Sequence, residues 1–239
     1  MVGTLTEMYA LLLCSLLINV HALKDIVIER PKTPDVDFAD LLLEYNPSVP
    51  PEVDVPVEVS VSLKILYAHH EKNLFSLTVL FNQSWHDHRL AMAGAIGIPV
   101  PAKYANIIWK PPTHFINDVG ERALPLLKAL HLGKNGEVCL EQKLPLKLPC
   151  KVDFPTVIEK NGWTNCSMDL EAFGWSDHVH YRLEGIQYSS DVASVLKLGE
   201  GVDELRRGNA TSVLSIPISV NTGITTDVLQ YILNNRSAK

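Results

Sequence analysis

Two histidine pairs, His86-x-His88 and His178-x-His180, have the residue types and spacing of metal chemistry. The i, i+2 spacing would put both imidazoles of a pair on one face of a strand, an arrangement found in β-type metal sites. Asp87, Asp177 or Glu184 could add an oxygen ligand, but only if the two pairs converged. This gives metal-assisted catalysis as a lesser alternative. The chain has no Gly-x-Ser-x-Gly elbow, no P-loop and no dinucleotide-binding fingerprint. The expectation is a binding protein, not an enzyme, with no metal and no cofactor.

Cysteine and asparagine chemistry points to the secretory route. Tyr9 to Val20 is an apolar run broken only by Ser15 and Asn19, followed by Val20-His21-Ala22, a small-x-small cleavage pattern. Residues 1–22 read as a signal peptide and 23–37 as an N-terminal segment, although no Lys or Arg precedes Lys24. Cys14 falls in that signal and leaves Cys139, Cys150 and Cys166. Three cysteines in a secreted chain imply one disulfide and a leftover thiol, or an intermolecular bond. Asn82, Asn165, Asn209 and Asn235 each begin an Asn-x-Ser/Thr sequon and are candidate glycosylation sites.

Bulk composition narrows the class further. Of 239 residues, 46% are hydrophobic and 20% charged, which is globular and not disordered. A net charge of -6 without a Lys/Arg cluster excludes a phosphate-backbone binder, so no nucleic-acid partner is expected. Beyond the signal, no stretch approaches the ~20 apolar residues that span a bilayer.

The elements that must position any site are mostly strands. Residues 38 to 45 read as a short helix with Asp37 as N-cap and Phe38, Leu41, Leu42 and Tyr45 on one face. Val55, Val57, Val59, Val61, Leu63 and Ile65 alternate with polar residues and predict a half-buried strand. A polar turn at His70 to Asn73 leads to a second strand with Phe75, Leu77, Val79 and Phe81 inward. Turn signals at Pro99-Pro101, Pro111-Pro112, Gly133-Gly136, Pro145-Pro149, Gly162 and Gly208-Asn209 then divide the chain into short strands. Val213 to Val220 alternates again, and Pro217 restricts it to an edge or to a register where its missing donor faces no partner. The pattern favours a sandwich.

At this point the sequence resembles the extracellular domain of Cys-loop (pentameric ligand-gated) receptors. The string from Leu41 to Pro47, then Pro50-Pro51 and the valine strand, is similar to the start of that domain. Trp85-His86-Asp87-His88-Arg89-Leu90 matches its W-x-D-x-R-L segment. Ile108 to Asp118, with Trp109, Pro111 and Asn117, is similar to its W-x-P-D-T-x-F-x-N-D segment, with Pro112 where Asp is usual. The resemblance covers residues 38–233, with 234–239 as a polar tail. It implies an all-β, immunoglobulin-like antiparallel β-sandwich with a short N-terminal helix.

Each motif also has a physical reading. Trp85 offers a large apolar body whose indole N–H needs a partner. Asp87 and Arg89, two apart on one side of a strand, would satisfy turn backbone groups or pair with each other. The resemblance implies a Cys150–Cys166 disulfide; closing its 15-residue loop would contribute about 3 kcal/mol. In the family the bracket is shorter, and its F-P-x-D tip touches the channel. Here Phe154-Pro155 comes early and no Asp follows in place. Cys139 is then an extra thiol on a strand.

Family members bind an ammonium group in an aromatic cage between subunits. Carried over residue by residue, the cage falls on Leu80, His114, Ile116, Phe173 and Trp175, while the capping hairpin near Gly199 to Ser212 has no aromatic residue and no adjacent cysteine pair. The cage is depleted. The resemblance implies a homo- or hetero-pentamer with a small-molecule ligand at the subunit interface. With the signal peptide and no membrane-spanning stretch, the expectation is a secreted chain without its own pore, similar to the soluble acetylcholine-binding proteins. The alternative is a truncated channel subunit at the plasma membrane, since Asp227 to Leu233 looks like the lead-in to the family's first membrane helix.

Overall fold

The computed structural model describes residues 36–71, 73–92, 97–120, 125, 127–174, 178–198, 203–207, 211–224 and 228. The readings made for residues 1–22 and 23–35, Trp175, Asp177, Asn209, Asn235 and the stretch after Val228 lie outside these.

Helix α1 spans Phe38–Leu41, shorter than the predicted 38–45. Asp37 caps it as expected, accepting from the Ala39 and Asp40 amides. Phe38 and Leu42 are buried, and Leu41 and Tyr45 pack against the core. Strand β1 spans Val57–Glu71 and β2 spans Leu74–His86, joined as the predicted hairpin. Val57, Val59, Val61, Leu63 and Ile65 point inward with 3% exposure or less. Val55 does not join them: it precedes the strand and is 56% exposed. Pro56 has no N–H to donate, and the first ladder amide is that of Val57, which donates to the His178 carbonyl (2.8 Å).

The remaining strands are β3 (Ile98–Pro99), β4 (Thr113–Phe115), β5 (Leu127–Leu132), β6 (Glu137–Pro149), β7 (Trp163–Ala172), β8 (Val179–Tyr188), β9 (Leu196–Leu198), β10 (Asp203–Arg207) and β11 (Thr211–Asn221). Short helices α2 (Ala102–Ala105), α3 (Phe154–Glu159) and α4 (Ser190–Ala193) fill connections. One sheet has the order β3-β5-β6-β2-β1-β8; the other runs β10-β11-β7-β4, with β9 also on β11. All pairs are antiparallel except β1 with β8. The inward faces of the two sheets form one apolar core. Among the described residues, no helix is long and apolar enough to cross a membrane.

One proline reading needs correction, and the structure decides a second. Pro145-Pro149 does not interrupt the chain; both prolines lie inside β6. Among the described residues, β5 pairs with β6 only as far as Lys143, and beyond it no strand adjoins β6 on that side. Lys147 donates its N–H outward to Asp118 (2.7 Å), and residues of the same parity share that direction. The missing donors of Pro145 and Pro149 therefore face the open side. Pro217 sits in β11, which is not an edge, because β7 pairs on one side and β10 and β9 on the other. It falls between the last β10 pair, at Ser215, and the first β9 pair, at Ile218. The second of the two sequence-based alternatives is the observed one.

Cys150 and Cys166 are joined, bridging the end of β6 to β7. Within the bracket, Asp153 caps α3 by accepting from the Thr156 amide (3.2 Å), and Pro155 takes the first-turn position where no donor is needed. Gly136 has a φ of +86°, and a Cβ there would lie 2.2 Å from the Asp87 carbonyl. Gly136→Ala should destabilise the domain by about 2 kcal/mol or more through strain and displacement of that peptide. Urea denaturation of the two proteins measures it, and an unchanged midpoint would refute the close approach.

Candidate functional site

Two polar clusters set the framework around the candidate residues. Asp87 is fully buried, not on a strand as predicted but at the start of a 3-10 turn, His88–Leu90. Its side chain accepts from the Arg89 amide (3.1 Å), capping that turn. Arg89 meets it through Nε at 2.8 Å and Nη2 at 2.7 Å, a two-point clamp, so both of the roles anticipated for this pair are realised. Tyr45 donates its hydroxyl to Asp87 at 2.7 Å and accepts the Trp109 amide at 3.0 Å. Burial, then the bond to Asp87 and its charge, push the Tyr45 hydroxyl well above the usual tyrosine range, so it stays a donor. Arg89 also lies 4.4 Å over the Tyr45 ring and donates to the Asn46 and Val49 carbonyls.

Trp85 is buried and packs edge-to-face on Trp109, with centroids 5.9 Å apart. Its indole N–H has no hydrogen-bond partner, contrary to expectation. An edge-to-face pair sets the positive rim of one indole against the negative face of the other, which offsets part of that cost.

The second cluster holds β4 to β7. Asn117 donates to the Ser167 carbonyl (2.7 Å) and to Asp169 (3.3 Å), and Asp169 also accepts from Ser167 (3.0 Å) and Ser215 (2.6 Å). Sequence reading singled out Asn117 but missed its partners, which belong to distant strands. Pro111 is buried, and its carbonyl accepts the Thr113 amide at 2.8 Å, turning the chain into β4. Inside the sandwich, Thr113 bonds Gln83 and the Tyr181 hydroxyl, linking the two sheets.

On this framework, His114 and Phe173 come together. Their rings are edge-to-face at 6.3 Å, and the Phe173 amide donates to the Pro112 carbonyl (3.0 Å). Phe173 is 70% exposed, the opposite of a core residue. Glu171, which sequence reading did not single out, is the register partner of His114 and puts a carboxylate on this edge. Ile116 follows on the same segment, half-buried, with its amide on the Asp169 carbonyl (2.9 Å). Trp175 lies outside the described residues.

Leu80 does not join this group. It stands half-buried on the outward face of the other sheet, in a groove of about 470 Å³ with Ser62, Lys64, Asn82, Glu141 and Glu184. Alternation along β1, β2 and β6 could have identified these outward positions; which strands adjoin could not be read. Cys139 is a free thiol on the same face, opposite His131 and Ser84. Burial, with Glu137 and Glu184 nearby, pushes its thiol up and lowers its nucleophilicity.

The histidine pairs do not converge. His86 contacts the Asn135 carbonyl (2.6 Å), His88 faces Glu52 (3.6 Å) and His180 pairs with Glu58 (2.8 Å). Among the described residues, no three His, Cys, Asp or Glu side chains are grouped to hold a metal.

Lys110 is half-buried and donates to the Ala105 and Ile108 carbonyls. Burial, with Lys128 nearby, pushes its ammonium down to about 8. Between there and the ordinary lysine value the unfolded chain binds the extra proton, so this group's contribution to stability rises with pH from about 8 upward. The wild type should therefore gain on Lys110→Met in denaturant midpoint as pH climbs through that window; a constant difference would contradict it. Asp87→Ala should cost about 3 kcal/mol or more, because it leaves Arg89 and Tyr45 without their acceptor. A double-mutant cycle with Arg89→Ala, followed by chemical denaturation, should be strongly non-additive.

The family model for the neurotransmitter-gated ion-channel ligand binding domain matches residues 37–197. Gamma-aminobutyric acid receptor alpha-like of Drosophila melanogaster is 27% identical over 188 residues, covering 73% of this chain and 27% of that protein. The chain therefore spans about a quarter of the length of this relative.

Proposed function

The chain belongs to the neurotransmitter-gated ion-channel ligand-binding domain family, and on that premise we propose that it is an extracellular domain that takes a small molecule at a seam between subunits. One observation carries this reading: the candidate residues are split. His114, Ile116 and exposed Phe173 stand at the β4 end of one sheet, and Leu80 lies in a groove outside the other. Half-sites on different faces complete each other when copies pack head-to-tail, as in a closed cyclic ring. The assembly in this reading is a pentamer, homo- or hetero-, and the chain is secreted, acts without its own pore and performs no catalysis.

A second reading, a channel subunit, is favoured by a different observation. Leu66, Tyr67 and Leu74 on the β1–β2 hairpin and Ile158 on α3 are exposed apolar residues. Hairpin and disulfide loop are tied where the Cys150 amide donates to the Asn73 carbonyl (2.8 Å). Apolar surface at that end suits a domain seated on another.

The name of the Drosophila relative makes γ-aminobutyric acid the first ligand to test. Light scattering on the purified protein should give a multiple of the chain mass, and a strict monomer would remove the seam. Acetylcholine should bind weakly or not at all, and submicromolar binding by calorimetry would overturn the depleted cage. For any ammonium ligand that does bind, Phe173→Ala should weaken it by about 2- to 30-fold, the equivalent of one cation–π contact.

A further inference from the structure

Strand β2 carries the sequon Asn82-Gln83-Ser84 in a way that bears on assembly. Phe81, Gln83 and Trp85 are buried inward, so Asn82 and Ser84 face outward on the six-stranded sheet. Asn82 lies between its register partners Ser62 on β1 and Glu141 on β6. It lines the same groove as Leu80, of about 470 Å³, and an adjoining hollow of about 300 Å³ that also includes Ser84. Apart from Leu63 and Leu80 the groove is lined by small or polar residues, and a Cβ at Gly185 on its wall would meet nothing within 4 Å. The Asn82 Oδ1 is buried without a hydrogen-bond partner, so that oxygen is not committed to holding the fold.

We propose that Asn82 is N-glycosylated, that its first sugar lies in this groove, and that the glycan bars a second copy of the chain from the Leu80 face. The proposal rests on the reading of a secreted, ring-forming protein and adds a control on that ring. In the transfer, the Asn82 Nδ2 bonds to the anomeric carbon of a lipid-diphosphate-linked oligosaccharide. The bond from that carbon to the diphosphate oxygen breaks, the lipid diphosphate leaves, and the amide proton passes to base. A head-to-tail ring uses both faces of every subunit, so a copy with one face covered ends an assembly and cannot continue it. Asn165 supplies the internal comparison. Asn165 is exposed on β7, where it accepts from Ser219 (3.1 Å), and a glycan there leaves the Leu80 face open.

The test expresses the full chain in secretory eukaryotic cells and separates assembled from unassembled protein by size. Enzymatic deglycosylation in isotopically heavy water then marks each occupied asparagine for mass spectrometry. The expected result is occupancy at Asn82, depleted in the assembled fraction, with that fraction enlarged in both Asn82→Gln and Ser84→Ala. Two independent variants separate loss of the glycan from a folding defect. Occupied Asn165 with bare Asn82, or equal Asn82 occupancy in both fractions, overturns the proposal and leaves the receptor reading standing. Bare asparagines at all four sequons overturn it together with the secretory reading, and a variant that never assembles overturns it together with the ring.

Discussion

The Asp87 carboxylate is the constraint on which much of the framework depends. A charge with no exposure is stable only if its surroundings replace the hydration it has lost, at a cost of several kcal/mol if they fail to. Arg89 supplies the countercharge, Tyr45 a hydroxyl, and the Arg89 amide a third donor. These partners come from α1's exit and the 3-10 turn, and Tyr45 in turn fixes the amide of Trp109. The Asp87 amide donates to the Gly136 carbonyl at 2.8 Å, bringing in the turn before β6. Four separate parts of the chain are thus tied to one residue, through its carboxylate and its amide. Trp85 and Trp109, which pack on each other, are tied in by Tyr45's bond to the Trp109 amide.

The strand architecture was largely legible because alternation is a local property. Five of the six residues in the valine run are buried in register, and the hairpin to β2 forms where the polar turn predicted it. What failed were statements about what lies beside a strand. Pro145 and Pro149 look like interruptions to a reader of single segments, yet both lie in β6 beyond its pairing with β5. Asp87 and Arg89 looked like a strand pair because turn geometry is set by the Asp87 cap, a contact that spacing alone does not distinguish.

The candidate site was legible in part, for the same reason. The ordered motifs placed His114 and Phe173 at related positions, and the fold brings their rings together. Glu171 and the groove residues around Leu80 were not found, since they depend on which strands adjoin. The histidine pairs show the converse error. Each has plausible ligand spacing, but His88 and His180 already face carboxylates on other segments, and the pairs do not group.

The parallel contact between β1 and β8 has a kinetic consequence. Val57 pairs with Val179 and Ile65 with Tyr188, so this seam joins residues more than a hundred positions apart. The hairpins inside that loop form from local contacts but do not bring β8 to β1, and non-local pairing of this kind slows folding. Until the seam closes, β1 has one unsatisfied edge, with five large apolar side chains along its inward face. Such a strand is a template for pairing with another chain. The maturation of this domain is therefore a race between the arrival of β8 and the approach of a neighbour.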